Sequence, residues 1–401
     1  MVDNQYYYVV ESAKGGAGKT TFSLLLALLL AEKCKRAREE NPDKPAGVCL
    51  LDIDILGTAL QKLLFNDPDI SDADELPLRI NGYNYILNNR SDNPENDYAA
   101  SDGRVMFLNG KIEKSVHDDS KRFLLKVSVR KLSAKDVRVE GNRVFTPPEQ
   151  VFYLGMCSPY YQHKAKYRII HSNPHAAAKT HYDIFAGGLY HLLKEKIKKE
   201  TGNNVNRVII DMPPGADGYP AGVMDALTRL KKEDDDKKKN ERCINIIRFI
   251  VLTGDIGQTE ATLEYINDLC DTNDSYSPFP PFDKLVVVIN EIGAGLDRVL
   301  LDKRANTIFQ KLVAKFKSLA NKSIYNSNFH ERLMFMAVRN LRDYLAVCYG
   351  EGIDDFHDGY WPDEMFSPSL KFYTVNNAFV PALEDIQADE FLKRLEQKDE
   401  K

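Results

Sequence analysis

The sequence predicts a doubly wound α/β fold, in which helices cover both faces of a mostly parallel sheet. Short apolar runs of β-rich composition recur along the chain, as expected of buried parallel strands. Several of these runs precede a stretch with helical character, which indicates repeated strand and helix units. A glycine-rich turn separates the first run from the first helix. These three observations together predict one α/β core.

The core elements follow in order. The first strand ends in YYYVVES and leads, through the glycine-rich turn, to a long apolar helix, TTFSLLLALLLAEK. Further strands are predicted in the segments 48–57, 151–156, 205–218, 244–255 and 283–293. Helices are predicted over 185–200, 257–269 and 302–320. In such a sheet, ligands bind at the carboxyl ends of the strands, so the residues that follow each strand are the candidates for function.

We expect the core to be interrupted by an insertion. The predicted domains are a first part of the core (1–75), a β-rich insertion between the second and third core strands (76–148), and a second part with C-terminal additions (149–401). Within the insertion, β-rich runs alternate with Asn-Gly and Asn-Asn turns, a pattern typical of hairpins. Residues 111–143 contain ten Lys or Arg and five Asp or Glu. This balance fits a face for nucleic acid or an acidic partner, or a solvated hairpin surface.

Composition excludes several classes of protein. The chain has 401 residues, 43% of them apolar and 28% charged, with a net charge of −5, which is ordinary for a soluble globular protein. Its longest apolar run, residues 22–31, is shorter than the roughly 20 residues that a membrane-spanning helix needs. The six cysteines never take a C-x-x-C spacing, so a zinc or dithiol site is not indicated. We therefore expect a cytoplasmic protein without a membrane anchor.

The stretch SAKGGAGKTT (12–21) has the pattern of a phosphate-binding loop. Glycines let successive backbone N–H groups turn inward on phosphate oxygens, and the following helix adds its dipole. Lys19 is placed to reach the β- and γ-phosphates, and the Thr20 hydroxyl to ligate Mg²⁺. Ala13 occupies the place of the first glycine of G-x-x-x-x-G-K-[ST]. The candidate triphosphate-binding residues are Gly15, Gly16, Ala17, Gly18, Lys19, Thr20 and Thr21.

Two predicted strands end in aspartates. In VCLLDIDILG, Asp52 and Asp54 are two residues apart and so point to the same side of the strand, where a carboxylate can meet Mg²⁺ or orient water. In VNRVIIDMPPGADG, Asp211 ends the strand and is a candidate Mg²⁺ partner, and the Gly215 N–H is a candidate contact of the γ-phosphate. The predicted metal ligands are Thr20, Asp52, Asp54 and Asp211.

These motifs resemble a known family. KGGAGKTT is similar to the deviant Walker A loop, K-G-G-x-G-K-[ST], of the ParA/MinD/Mrp ATPases, which belong to the SIMIBI class of P-loop proteins. D-x-D-I-x-G and D-x-P-P-G, as they stand at Asp52–Gly57 and Asp211–Gly215, resemble the forms of the Mrp branch, although the C-x-x-C pair of that branch is missing. The resemblance implies ATP and Mg²⁺ as ligands, ATP hydrolysis, and a homodimer formed through the nucleotide face.

The resemblance also implies roles for individual residues. In the family the extra lysine reaches across the dimer interface to the phosphates of the partner subunit, and that lysine corresponds to Lys14. Asp54 corresponds to the catalytic or water-positioning aspartate, so the implied catalytic residues are Lys14, Lys19 and Asp54. Asn290, at the end of its strand, corresponds to an asparagine that often bonds the adenine edge.

Three functions remain open from the sequence. The first is an ATP-dependent dimerising switch that hydrolyses ATP and couples its nucleotide state to a partner, a cargo or nucleic acid through residues 76–148. The second is an ATP-using ligase or kinase on the same fold, which would leave a phosphorylated or adducted acceptor. The third is a DNA-partition or positioning ATPase, which predicts salt-sensitive, ATP-dependent DNA binding.

Overall fold

We analysed the protein as a computed structural model. The structure describes residues 3–43, 45–53, 124–126, 152–156, 186–187, 189–201, 203–215, 219–235, 242–253, 255–270, 282–290, 298–320, 332–337, 371–375, 381–385 and 388–397.

The described residues form ten strands and six helices, numbered here in chain order. The strands are β1 (Asp3–Glu11), β2 (Val48–Asp52), β3 (Leu124–Lys126), β4 (Phe152–Met156), β5 (Arg207–Asp211), β6 (Arg242–Thr253), β7 (Lys284–Asn290), β8 (Leu333–Ala337), β9 (Lys371–Val375) and β10 (Pro381–Asp385). The helices are α1 (Lys19–Glu40), α2 (Ile197–Thr201), α3 (Tyr219–Asp235), α4 (Ile256–Cys270), α5 (Arg298–Ala320) and α6 (Ala388–Glu396). Residues 186–187 and 189–191 are also helical, and a π-helical segment, Leu192–Lys196, joins them to α2.

All ten strands belong to one sheet, in the order β10-β9-β8-β7-β6-β1-β5-β2-β4-β3. The strands from β8 to β4 run parallel, and the outer pairs are antiparallel. The chain moves from β1 in one direction to β2, and later crosses from β5 over β1 to β6. This reversal of strand order places a crevice at the carboxyl ends of β1, β5 and β6, where α/β sheets bind their ligands.

Helices cover both faces of the sheet. Alternate residues of the strands point to opposite faces, because successive side chains of a strand alternate. On one face they pack against α1 and α6, and on the other against α2, α3, α4 and α5. The predicted doubly wound fold class is therefore confirmed.

The apolar character of α1 has a structural reason. Residues 21–31 of this helix are all buried, because α1 crosses the centre of the sheet and contacts side chains from β1, β2 and β6. A helix that is apolar all round is expected in such a position. No helix within the described ranges is long and apolar enough to cross a bilayer.

The strands and helices predicted for the core are present within a few residues of their predicted bounds. Three strands at one edge, β8 to β10, were missed. Of the predicted insertion, the structure describes only β3, which pairs antiparallel with β4 at the opposite edge of the core sheet. The rest of residues 76–148 lies outside the described residues, so the insertion and the domain bounds stay predictions.

Candidate functional site

The glycine-rich loop joins β1 to α1. Gly16 and Gly18 have φ angles of 82° and 90°, in the left-handed region that favours glycine. Gly18 is the N-cap of α1. A Cβ atom on Gly18 would also overlap the side-chain amide of Asn290. The backbone conformation of this turn therefore depends on glycine at the two positions. The turn ends at the N-terminus of α1, a helix of 22 residues.

Three neighbouring elements hold the loop in place. The Gly215 N–H, after β5, donates to the Ser12 carbonyl at 2.9 Å. The Asn290 amide, at the end of β7, donates to the Ala17 carbonyl at 3.1 Å, and the Gln258 amide of α4 lies 3.5 Å from the Gly15 carbonyl. Gly215 and Asn290 were predicted to contact the γ-phosphate and the adenine edge. In this structure both donate to the loop backbone, and their contacts with a nucleotide stay predictions.

The two lysines of the loop lie in different surroundings. Lys19, in the first turn of α1, is buried, with 7% of its surface exposed, whereas Lys14 is exposed. Next to Lys14 lies Asp255, which caps α4 by accepting a hydrogen bond from the Gln258 N–H at 2.8 Å. A hydrogen bond from Thr253, the backbone donors of α4 and the charge of Lys14 lower the pKa of Asp255, so this carboxylate is ionised. One lysine thus faces the interior of the site, and the other lies on its surface.

Two carboxylates lie side by side at the carboxyl ends of β2 and β5. Asp52 and Asp211 are register partners on adjacent parallel strands, which places their backbones about 4.8 Å apart. Both are buried, and both point to the face that α1 covers, since they alternate with Leu51 and Ile210 of the opposite face. Two buried carboxylates this close disfavour each other's charged form unless positive charge lies nearby. Oxygen ligands of this kind suit Mg²⁺, which commonly takes one or two carboxylates together with substrate phosphates.

The position of Asp211 is closely fixed. Its carbonyl accepts the Ile53 N–H at 2.9 Å, and the next residue, Met212, donates its N–H to the Val10 carbonyl at 3.1 Å. Its side-chain Oδ1 accepts a hydrogen bond from the Ser23 hydroxyl of α1 at 3.0 Å. Of the other predicted metal ligands, Thr20 is half-buried in the first turn of α1, and Asp54 lies outside the described residues.

A buried ion pair lies just before the loop. Arg248 of β6 donates from Nε and Nη2 to the two carboxylate oxygens of Glu11, at 2.7 and 2.8 Å. The hydroxyl of Tyr265, on α4, donates to the same carboxylate at 2.6 Å. Both charged side chains are fully buried. Glu11 is the last residue of β1, so this cluster fixes the start of the loop relative to β6 and α4.

Sequence reasoning missed several of these residues. Asp255 and Gln258 carry a readable signal, because an acidic residue after a strand and before a helical stretch is typical of a helix N-cap. The signal for Ser23 is weak: its hydroxyl follows Thr20 by three residues, so the two side chains lie on the same side of α1, near the site. Nothing local in the sequence indicates that Glu11 and Arg248 pair, since 237 positions separate them.

No protein-family model and no curated protein sequence matches this chain. Among solved structures, the chain is 13% identical to a ParA-family ATPase from Chlorobium tepidum TLS, over 86% of this chain and 98% of that one, with a TM-score of 0.31. It is 12% identical to a plasmid partition protein from Borrelia burgdorferi, over 86% of this chain and 96% of that one, with a TM-score of 0.34. It is 17% identical to cobyrinic acid a,c-diamide synthase from Mycobacterium smegmatis, a structure with bound ADP and magnesium, over 76% of this chain and 81% of that one, with a TM-score of 0.34. TM-scores this low carry no argument, so any functional conclusion depends on the site itself.

Proposed function

We propose that this protein is a Mg²⁺-dependent ATPase that works as a dimerising switch. One observation carries the proposal: two buried carboxylates lie in register beside a glycine-rich loop that caps a helix and holds a buried lysine. Each of these features suits a different portion of the Mg²⁺-ATP complex. The loop and helix N-terminus suit phosphate oxygens, and the carboxylates suit the cation that accompanies them.

The residues present fit this ligand. Backbone N–H groups of the loop and the Lys19 ammonium would bind the β- and γ-phosphates, while Thr20, Asp52 and Asp211 supply oxygen atoms for Mg²⁺. Among the described residues no cluster of three or more His, Cys, Asp or Glu side chains is present. A site with two carboxylates and a hydroxyl is therefore suited to a cation that shares its remaining positions with phosphate and water. When bound, Mg²⁺ neutralises the charge that develops on the transferred phosphoryl group.

The dimer is supported by the environment of Lys14. A lysine that served its own subunit's phosphates would be expected to lie inside the site, as Lys19 does. Lys14 is instead exposed. We propose that it reaches the phosphates bound by a second copy of the chain, and that Asp54 orients the water for hydrolysis.

Residues 76–148 are the proposed contact for a protein partner or nucleic acid. Because β3 pairs with β4, a test should retain Leu124–Lys126 and replace residues 80–122 with a Gly/Ser linker. The variant is expected to bind ATP as the wild type does and to lose salt-sensitive, ATP-dependent DNA binding if DNA is the partner. A folded variant that loses ATP binding would show instead that these residues complete the nucleotide site.

The proposal is tested by nucleotide binding and product analysis. Wild-type protein should bind ATP in the presence of Mg²⁺ and release only ADP and phosphate. Lys19→Ala should lose measurable ATP binding while keeping its thermal midpoint, because the β- and γ-phosphates lose their charge partner. A phosphorylated or adducted acceptor among the products would favour a kinase or ligase. Wild-type protein that binds no ATP, or Lys19→Ala that binds it normally, would overturn the proposal.

A further inference from the structure

Ser23 departs from the usual behaviour of a hydroxyl inside a helix. Serine and threonine side chains in helices commonly donate back to the carbonyl four residues earlier. Four threonines among the described residues do so, with distances of 2.7 to 2.9 Å: Thr201, Thr228, Thr259 and Thr262. Ser23 instead donates across the sheet interface to Asp211 Oδ1, at 3.0 Å.

This hydrogen bond lies in a buried environment. Ser23 is fully buried and Asp211 is 1% exposed, so the bond is shielded from competition with water. A hydrogen bond to a carboxylate in such low-dielectric surroundings is stronger than one at the surface. Its loss would therefore change the preferred orientation of the carboxylate.

The backbone of Asp211 is already fixed, but its carboxylate is not fixed by the backbone. β5 pairs with β1 and β2 on either side at this residue, through Val10 and Asp52. The terminal torsion of an aspartate is broad, however, and permits a wide range of carboxylate orientations. The hydroxyl of Ser23 selects one of them by engaging Oδ1.

We propose that Ser23 is a positioning residue for the Mg²⁺ site, which acts by orienting the Asp211 carboxylate. This inference rests on the proposed function, because it assumes that Asp211 faces the cation of Mg²⁺-ATP. Ser23 lies one turn beyond Thr20 on α1, so the helix that caps the phosphate loop also fixes the acid at the end of β5. The assignment explains why a polar side chain occurs at the start of the apolar stretch of α1.

The test compares metal dependence with nucleotide affinity. Binding of a fluorescent, non-hydrolysable ATP analogue is measured over a Mg²⁺ titration, and again in EDTA. For Ser23→Ala we expect the Mg²⁺ concentration for half-maximal binding to rise about tenfold, as is typical when a residue that orients a metal ligand is removed. Affinity in EDTA should stay near the wild-type value, and the thermal midpoint should fall modestly, because a buried carboxylate oxygen loses its donor. Ser23→Cys, which keeps the shape but donates weakly, should show a smaller rise.

Two further variants make the result interpretable. Thr201→Val removes a buried helical hydroxyl that donates within its own helix, and it should leave the Mg²⁺ midpoint unchanged. Asp211→Asn should raise the midpoint at least as much as Ser23→Ala.

Three outcomes overturn the inference. If Asp211→Asn shifts the Mg²⁺ midpoint and folded Ser23→Ala does not, the inference is wrong while the proposed function stands. If Ser23→Ala fails to fold, a folded Ser23→Cys with the wild-type midpoint overturns the inference in the same way. If wild-type protein shows no Mg²⁺-dependent binding of the analogue, the proposed function fails, and the inference fails with it.

Discussion

The two ends of the central strands both concentrate charge, but they do so differently. At the amino end, Glu396 of α6 accepts hydrogen bonds from Arg207, Lys33 and Tyr8, all between 2.7 and 2.9 Å. Acid and base compensate each other there. At the carboxyl end, two acids, Asp52 and Asp211, lie in register beside the loop. The first arrangement surrounds one acid with basic and hydroxyl donors and holds α6 to the core, whereas the second brings two acids side by side, which suits a cationic ligand.

The amino-end cluster fastens the last described helix to the core. Phe391, Leu392 and Leu395 of α6 are buried against the face that α1 covers. Burial alone raises the pKa of Glu396, but the hydrogen bonds and charge of Arg207, together with Lys33 and Tyr8, outweigh it and hold the pKa at about 2. The carboxylate is therefore ionised at all ordinary pH values, and the cluster persists without a ligand. The difference between the two ends predicts that variants at one end change function and variants at the other change stability.

The largest expected effect concerns Asp54, which follows the last residue of β2 by two positions in the sequence. Asp54→Ala removes the proposed water-positioning carboxylate, so ATP turnover should fall by about 10²–10⁴, the usual loss for a positioned catalytic group. ATP affinity should be unchanged or improved, because a negative charge near the triphosphate is lost. Single-turnover hydrolysis and equilibrium ATP binding measure the two quantities. Wild-type turnover by the variant would remove Asp54 from the mechanism.

The next effect is at the amino end and concerns stability. The folded pKa of Glu396, about 2, lies below its ordinary value of 4.5. A lowered folded pKa contributes stability above the ordinary pKa, and that stability is lost as the pH falls from about 4.5 to about 2. At 1.36 kcal/mol per pKa unit, Glu396→Gln should reduce the free energy of unfolding by roughly 3 kcal/mol at pH 7, and by progressively less below pH 4.5. Denaturant unfolding over a pH series measures this dependence.

A matched control lies on the same helix. Glu390 pairs with Arg394 on the surface of α6, at 2.9 Å. Exposed pairs of this kind contribute little, so Glu390→Gln should leave the unfolding midpoint unchanged. ATP binding should be normal in both variants. If Glu396→Gln lost ATP binding while still folded, the separation between the two ends of the sheet would be wrong.

A smaller effect is expected from the loop backbone. Gly18→Ala places a side chain at a φ of 90° and against the Asn290 amide. Left-handed backbone conformation disfavours a non-glycine residue by roughly 1–2 kcal/mol, which corresponds to about a tenfold loss of ATP affinity if the loop must adopt this conformation to bind. Gly187→Ala is the control, since Gly187 has open space around it and no positive φ. Equal ATP affinities of the two variants would contradict the loop geometry.

The sequence predicted the core because its signals are local. Apolar strands, the buried helix α1 and the glycine-rich loop are each specified within about 20 neighbouring residues, and the structure confirms these elements. β9 and β10 were missed because their segments, KFYTV and PALED, contain charged residues and join the sheet antiparallel at its edge. β8, LMFMA, is a short apolar run with no recognisable motif beside it. Short apolar runs of this length carry no reliable periodicity.

The candidate site was less predictable from the sequence than the core. Loop residues and strand-end acids follow from motif and position, so Lys19, Asp52 and Asp211 could be predicted from the sequence as candidates, and the structure places Asp52 and Asp211 in register. Contacts between distant segments were not identified, since 188 positions separate Ser23 from Asp211, and 273 separate Asn290 from Ala17. The structure brings these pairs together through the packing of α1 on the sheet and the crossing of the chain over β1.

The central claim is that the two loop lysines serve two subunits. Light scattering with a non-hydrolysable ATP analogue and Mg²⁺ tests it directly on wild-type protein and Lys14→Ala, with analogue binding measured on the same samples. Wild-type protein should double in mass from 45.6 kDa when the analogue is added. Lys14→Ala should bind the analogue with near wild-type affinity and stay at the monomer mass. A variant that dimerises as the wild type does, or wild-type protein that binds the analogue and stays monomeric, would contradict the account.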